Sequence, residues 1–459
     1  MSSVDLGIVG AGPAGLAAAV EARSAGHSVA LLDEAAHPGG QIYRNIDHAG
    51  AKQFELLGPD YAYGKALTKA FGKSGCSYLP KSSVWHVEQR DTGFRLSYSR
   101  DGRSHGVDVG SLIIATGALE RPMPLPGWTL PGVTTAGAIQ ILLKASATVA
   151  DDLVLVGSGP LLILLAAQLV TSGYPPRAIV ETVPLKNYVR ALPRVPFNAS
   201  GLGYLYKGSK LLARVARAGV PIFRDARDIV IEGTKRVEAV SFRSKGRAHR
   251  VETMSVGLHH GVVPNQQITR LMRCEHVWDQ RQHAFLPILT EDGETSVHGL
   301  FVAGDGGGIR GAHSAEIAGR LAALKVIERM TGESQAAVKS LRKKLKRDAS
   351  VRPFLEALYP PFSEALVPSD DTLVCRCEEV TAGQIRDAVR DTASEANQVK
   401  SFLRTGMGPC QGRVCGLAVT ELIAEASGRS RNDVGYFRIR PPLKPLSLNE
   451  LADYETEAQ

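Results

Sequence analysis

Within its first 34 residues the chain passes from a short apolar stretch, Val4 to Val9, straight into Gly10-Ala11-Gly12-Pro13-Ala14-Gly15. An Ala-rich segment of helical period follows, Leu16 to Ala25, and a second apolar run, Val29 to Leu32, ends at Asp33-Glu34. Strand, G-x-G-x-x-G, helix, strand, acid is the order in which a parallel α/β unit holds a dinucleotide. Gly10 permits the sharp turn, Gly12 lets backbone approach a pyrophosphate, and Gly15 lets the helix press on the strand. Pro13 and Ala14 belong to the same cradle, whose helix N–H groups face the phosphates. Asp33 or Glu34 is placed to accept from the adenosine ribose hydroxyls.

A chain of 459 residues with 44% apolar and 22% charged residues is an ordinary globular protein of about three domains. The most apolar window, Leu153 to Val170, is long enough to span a bilayer. Gly157-Ser158-Gly159-Pro160 interrupts it, so it reads as buried strand, turn and helix, and no transmembrane segment is expected. The N-terminus lacks the positive region of a signal peptide, which predicts a cytoplasmic protein with no cleaved leader. A net charge of +8 raises nucleic acid as a partner. Yet Lys339, Arg342, Lys343, Lys344, Lys346 and Arg347 crowd into one stretch with no aromatic interleaving or base-reading motif. A solvated helix face, or a docking surface for an acidic partner, fits better than nucleic acid.

Three later segments narrow the nucleotide. His37-Pro38-Gly39-Gly40-Gln41 follows the second strand; Leu112-Ile113-Ile114-Ala115-Thr116-Gly117 and Leu300-Phe301-Val302-Ala303-Gly304-Asp305 are strands ending in small-residue turns. A helical segment, Ala312 to Lys325, follows the second of them. Here the sequence resembles the two-dinucleotide-domain flavoprotein oxidoreductases, the glutathione-reductase-like and thioredoxin-reductase-like group. The resemblance implies FAD, with Gly40, Gln41, Val84, Ala115, Thr116, Gly117, Gly304 and Ala312 around it and Asp305 bonded to the ribityl and pyrophosphate region. Read by itself, Asp305 can equally cap the helix that follows.

A second copy of the pattern begins at Val154-Leu155-Val156-Gly157-Ser158-Gly159-Pro160-Leu161-Leu162, and Ala178-Ile179-Val180-Glu181 is its strand ending in an acid. Gly157 and Gly159 keep the turn, but Leu162 replaces the third glycine and should push the helix away or tilt it. Nicotinamide chemistry is therefore in doubt. ATP or NAD can still use the phosphate cradle and Glu181, which disfavours a 2′-phosphate; a vestigial fold that only stiffens the protein is the alternative.

Of six cysteines, Cys76 and Cys274 are isolated and read as packing residues, so the redox pair of a disulfide reductase is missing. Cys375, Cys377, Cys410 and Cys415 form C-x-C and C-x₄-C on glycine-flanked loops, a four-thiolate ligand set that suits zinc or a [2Fe–2S] cluster. Zinc carries no electrons and a flavin domain precedes, which favours the cluster. The segment resembles the bacterioferritin-associated-ferredoxin-like [2Fe–2S] domain, although that domain usually closes with C-x₂-C. Thr381 is a plausible N-cap for the helix beyond Cys377.

The variant Gly406-Met407-Gly408-Pro409-Cys410-Gln411-Gly412-Arg413-Val414-Cys415 narrows the resemblance further. It is similar to the α subunits of opine (octopine or nopaline) oxidases, D-hydroxyproline and dye-linked proline dehydrogenases, and hydrogen cyanide synthase. Gly257, Val263-Pro264-Asn265, Arg352-Pro353-Phe354-Leu355 and Arg440-Pro441-Pro442-Leu443-Lys444-Pro445 carry the same likeness. The resemblance implies a β subunit like D-amino-acid or sarcosine oxidases, a small third subunit, and an FMN at a subunit interface. A secondary amine bound to the β subunit loses hydride from its Cα–H, the imine hydrolyses, and electrons pass into this chain. No catalytic residue is assigned; His259, His260 and His313 read as packing or hydrogen-bonding residues. A self-sufficient NADH-dependent ferredoxin-type reductase and a non-catalytic nucleotide-binding subunit are the competing classes.

The expected architecture is α/β, with two Rossmann-like domains, the second inserted in the first, and a small helical cluster domain. The FAD domain covers 1–120 and 255–330, the second nucleotide domain 121–254, a basic linker 331–370, the cluster domain 371–425, and an extended, non-helical tail 426–459.

Overall fold

The computed structural model describes residues 4–334, 336–391 and 393–458. Strands Ser77–Leu79, Val29–Leu32, Val4–Val9 and Arg103–Ile114 lie side by side in parallel, with Leu300–Val302 paired to the last of them. Their apolar runs are continuous because both faces are covered; Leu6, Ile8, Leu31, Ile113 and Phe301 are fully buried. Helix Pro13–Ser24 packs against helix Ala312–Thr331, and small residues permit it: a Cβ on Gly319 would lie 2.0 Å from the Ala14 carbonyl oxygen. Two antiparallel strands, Ser83–Arg90 and Gly93–Arg100, extend the sheet.

The second sheet is also parallel, in the order Ile222–Phe223, Ala178–Glu181, Leu153–Gly157, Ser255–His259, Val133–Thr135. Strand Ser255–His259 therefore belongs to the inserted domain, and the expected boundary at 254 moves past His259. Sequence could not place it, since a parallel strand's neighbours are remote in the chain. The crossings between domains, Ala118–Glu120 and Val262–Pro264, pair with each other. Buried polar groups join the two domains as well. Lys144 Nζ donates to the Gln41 carbonyl at 3.0 Å and to Gln140 Oε1 at 2.9 Å. Gln140 then donates to Gln168, and Gln168 to the Leu57 carbonyl. Burial pushes Lys144 down to about 7.

One expectation for the C-terminal third needs correction, that of the tail. The connecting segment 331–370 is largely helical, with helices Ala337–Asp348, Arg352–Leu358 and Ser363–Leu366. Its basic side chains are partly paired, Arg342 with Asp292 and Glu291, and Lys346 with Glu291. The tail is irregular from 435 to 447 but then forms helix Leu448–Ala458, which packs on strand Arg103–Ile114. Ser447 and Glu450 start that helix reciprocally: Glu450 Oε2 accepts from Ser447 N–H at 2.8 Å, and Ser447 Oγ from Glu450 N–H at 3.3 Å. Thr381 caps helix Ala382–Asp391 in the same way, through Gln384.

Candidate functional site

The N-terminal cradle is built by close approach. A Cβ on Gly10 would meet the Ala115 carbonyl oxygen at 2.4 Å, and one on Gly15 would meet the Gly10 carbonyl oxygen at 1.9 Å. Gly40 closes the other side, its Cβ position 2.7 Å from Gly12 Cα, and Gly39 N–H donates to the Ala11 carbonyl. Gly12 itself has ordinary extended backbone, and the nearest atom to a Cβ there is 3.9 Å away. The turn thus leaves an open lane above Gly12, as a pyrophosphate requires. Thr116 Oγ1 is buried with no hydrogen-bond partner among the described residues, a polar atom left for a ligand. Gly117 receives Asn265 N–H on its carbonyl, and Val84 is buried beside Val9 and Leu32.

Three acids have structural duties. Asp33 accepts from Ala11 N–H at 2.5 Å and from Ala35 N–H at 2.7 Å, so it braces the turn, and burial pushes its carboxyl up. Glu34 is paired with Lys444 of the tail at 2.7 Å. Asp305 Oδ1 accepts from Arg310 N–H and Gly311 N–H at 2.8 and 2.9 Å, ahead of helix Ala312–Thr331. Its first oxygen thus braces the turn before that helix, whose N-cap is Gly311 with no side-chain cap bond.

In the second turn Gly157 and Gly159 both have positive φ, 127° and 117°. Leu162 is fully buried against Leu153, Leu155 and Ile179. Since a Cβ at the matching Gly15 would strike the turn, Leu162 requires the different path that Gly159 takes. Glu181 ends its strand as expected, buried and pushed up by that burial, with Arg224 Nε 3.6 Å away. His260 is a packing residue: its two ring nitrogens face the Pro122 carbonyl and Phe362 N–H, and burial holds it neutral. His313 stacks edge-on with Tyr63.

The four C-terminal thiols come within electrostatic reach of one another, Cys375 beside Cys415 and Cys377 beside Cys410. Among the described residues no three His, Cys, Asp or Glu side chains already stand in metal-ligating geometry. The hydrogen bond from Cys415 pulls the Cys375 thiol down to about 6, helped by N–H groups of Gly406, Glu378 and Cys377, while the same bond and burial push Cys415 well up. Four thiols beside backbone N–H donors are a donor set that an iron–sulfur cluster takes.

Sequence reading missed what holds these loops. The Phe437 ring, fully buried, presses on Gly406 and Gly412, where a Cβ would lie 2.6 and 2.5 Å from it. Tyr436 Oη donates to the Gly412 carbonyl at 3.1 Å. Arg270 lies 4.6 Å from the ring centres of both Tyr436 and Phe285, and burial lowers it to about 10. Gln267 Nε2 donates to the Gln411 carbonyl at 3.3 Å, tying the flavin-type domain to the C-x₄-C loop.

Residues 4–319 match the pyridine nucleotide-disulphide oxidoreductase family, and residues 373–425 match the BFD-like [2Fe-2S] binding domain. The chain is 43% identical to the opine oxidase A subunit of Rhizobium meliloti, over 98% of this chain and 87% of that protein. Against hydrogen cyanide synthase subunit HcnB of Pseudomonas aeruginosa the identity is 30%, over 98% and 99%. Among solved structures, L-proline dehydrogenase from P. horikoshii has the same fold, with a TM-score of 0.72 at 18% identity over 98% of this chain and 79% of that one. The chain belongs to the pyridine nucleotide-disulphide oxidoreductase family, in the group of the opine oxidase A subunits and with a BFD-like [2Fe-2S] domain at its C-terminal end.

Proposed function

We propose that this chain is the electron-transfer and scaffold subunit of a heteromeric, flavin-dependent amine dehydrogenase. Its substrate class is a secondary amine, an opine such as octopine or nopaline, or an imino acid such as proline or D-hydroxyproline. The amine is oxidised on a β subunit resembling D-amino-acid or sarcosine oxidases. The single observation that carries this reading is the presence in one chain of the Gly10–Gly15 cradle and of four thiols, on domains that meet at the Gln267–Gln411 hydrogen bond.

FAD supplies two-electron and a [2Fe–2S] cluster one-electron chemistry when bound. The chain's own residues do the rest. Gly12 and Gly40 admit the pyrophosphate, Thr116 offers its free hydroxyl, and Asp33 and Asp305 hold the turns on either side. Cys375, Cys377, Cys410 and Cys415 are the cluster ligands, and Phe437 keeps their loops closed. The reading includes FMN between subunits and an adenine nucleotide, ATP or NAD, at Gly157 and Glu181.

A surface for a partner is also present. Segment 185–217 carries seven Lys and Arg and no Asp or Glu. Leu185, Val189, Leu192 and Phe197 are exposed there, Phe197 at 90%. Exposed apolar side chains in a segment with Lys186, Arg190 and Arg194 suit an acidic protein face. No helix among the described residues is long and apolar enough to cross a membrane. The test is co-purification of the full complex, followed by anaerobic addition of candidate amines. Bleaching of the flavin together with a reduced-cluster electron paramagnetic resonance signal is expected; a flavin that no amine reduces contradicts the proposal.

A further inference from the structure

The two glycine turns differ at one neighbouring position. In the first, Gly10 faces the carbonyl of Ala115 at the end of the adjacent strand; in the second, Gly157 faces the carbonyl of His259 in the same way. A methyl side chain at one place is an imidazole at the other. His259 is 3% exposed, and its Nδ1 is hydrogen-bonded to Glu120 Oε1. Glu120 is fixed in turn, because its Oε2 accepts from Gly137 N–H at 2.9 Å. His259 Nε2 has no hydrogen-bond partner among the described residues and lies 3.3 Å from where a side chain on Gly159 would begin. Gly159 caps the twelve-residue helix Pro160–Thr171. The free nitrogen of a ring already anchored by Glu120 thus lies at a helix start of the kind that binds phosphate.

Resting on the reading that this turn holds an adenine nucleotide, we propose that His259 selects the ligand, offering Nε2 to the terminal phosphate of a nucleoside di- or triphosphate while its ring obstructs the path along which a dinucleotide continues. Two physical arguments support this. Glu120 on Nδ1 fixes the ring's orientation, and Nε2 is left facing the helix start as the atom that meets a phosphate oxygen. In the flavin cradle, where a dinucleotide is expected to pass, the matching residue is the small Ala115. Glu120 and His259 are positioning and binding residues here, with no role in a chemical step.

Calorimetric titration of the full, FAD-loaded chain with AMP, ADP, ATP and NAD tests the assignment. The wild-type protein should bind ADP or ATP at least about tenfold more tightly than NAD, the size expected for one charge-assisted hydrogen bond. His259→Ala should weaken ADP by about tenfold and strengthen NAD. His259→Gln, which keeps bulk at this place but not the ring nitrogen, should weaken ADP but gain no NAD affinity. Glu120→Gln leaves the ring in place and should also weaken ADP, so the outcome does not hang on one variant's folding. If AMP binds but the ADP-to-NAD ratio is the same in wild type and His259→Ala, the turn is a nucleotide site and the selectivity assignment is wrong. If none of the four nucleotides binds the wild-type chain, the nucleotide reading itself falls and takes the assignment with it.

Discussion

The side-chain amide of Gln267 donates to the carbonyl oxygen of Gln411 at 3.3 Å, and with that bond the helix Gln267–Leu271 of the flavin-type domain touches the loop between Cys410 and Cys415. The cluster domain is docked on the flavin domain, and the tail reinforces the docking through Lys444 and Glu34. Electron exchange within one chain needs such an arrangement.

Gly12→Val separates ligand from fold. Gly12 has ordinary extended backbone and no protein atom closer than 3.9 Å to the added Cβ, so the variant should fold with a thermal midpoint close to that of flavin-free wild type. Flavin content should fall to near zero, because the side chain stands where the pyrophosphate passes. Full flavin in the purified variant would refute the cradle assignment.

Phe437→Ala removes the ring that closes the cysteine loops. Truncating a buried Phe costs about 3–5 kcal/mol, and here the loss falls on Gly406 and Gly412. Iron content should drop while FAD stays bound, as read by metal analysis beside the flavin absorbance. Unchanged iron would show that the ring is not what shapes the loops.

Lys144 makes stability depend on pH. Its folded value is lowered to about 7 from an ordinary ~10.5, so between these values the unfolded chain holds a proton that the folded chain lacks. Stability from this group therefore rises with pH across that window, on the order of a few kcal/mol at most. Lys144→Met should flatten the rise in thermal midpoint from pH 7 to 10 relative to wild type. An identical slope in the two proteins would show that Lys144 is charged in the fold.

The exposed patch makes a prediction about assembly. Leu192→Glu places an acid among Lys186, Arg190 and Arg194 on a face that is already solvent-exposed, so the isolated chain should keep its stability within about 0.5 kcal/mol. Association with the β subunit should weaken by tenfold or more in a pull-down titration. Undiminished association would move the partner to another face.

Local patterns carried most of what the sequence made legible. The Gly10–Gly15 turn, the repeat at Gly157 and the four cysteines are short motifs whose geometry is set within a few residues. The inserted domain's edge was misplaced because Ser255–His259 finds its neighbours at 133–135 and 153–157, far away in the chain. The tail helix has a local start signal, the capping box Ser447-Leu448-Asn449-Glu450, but Pro441, Pro442 and Pro445 just before it give the tail the composition of an extended segment. Phe437, Gln267 and the Glu120–His259 pair had no signal of their own. Each acquires its role only from a contact between remote segments.

What the four thiols hold decides between electron transfer and a purely structural domain. Protein purified without oxygen should contain about one FAD, two iron and two acid-labile sulfide per chain. Cys410→Ser should lose the iron and keep the FAD, since a hydroxyl replaces a soft thiolate poorly and the flavin cradle lies in another domain. One zinc per chain, with no iron or sulfide, would contradict the electron-transfer reading.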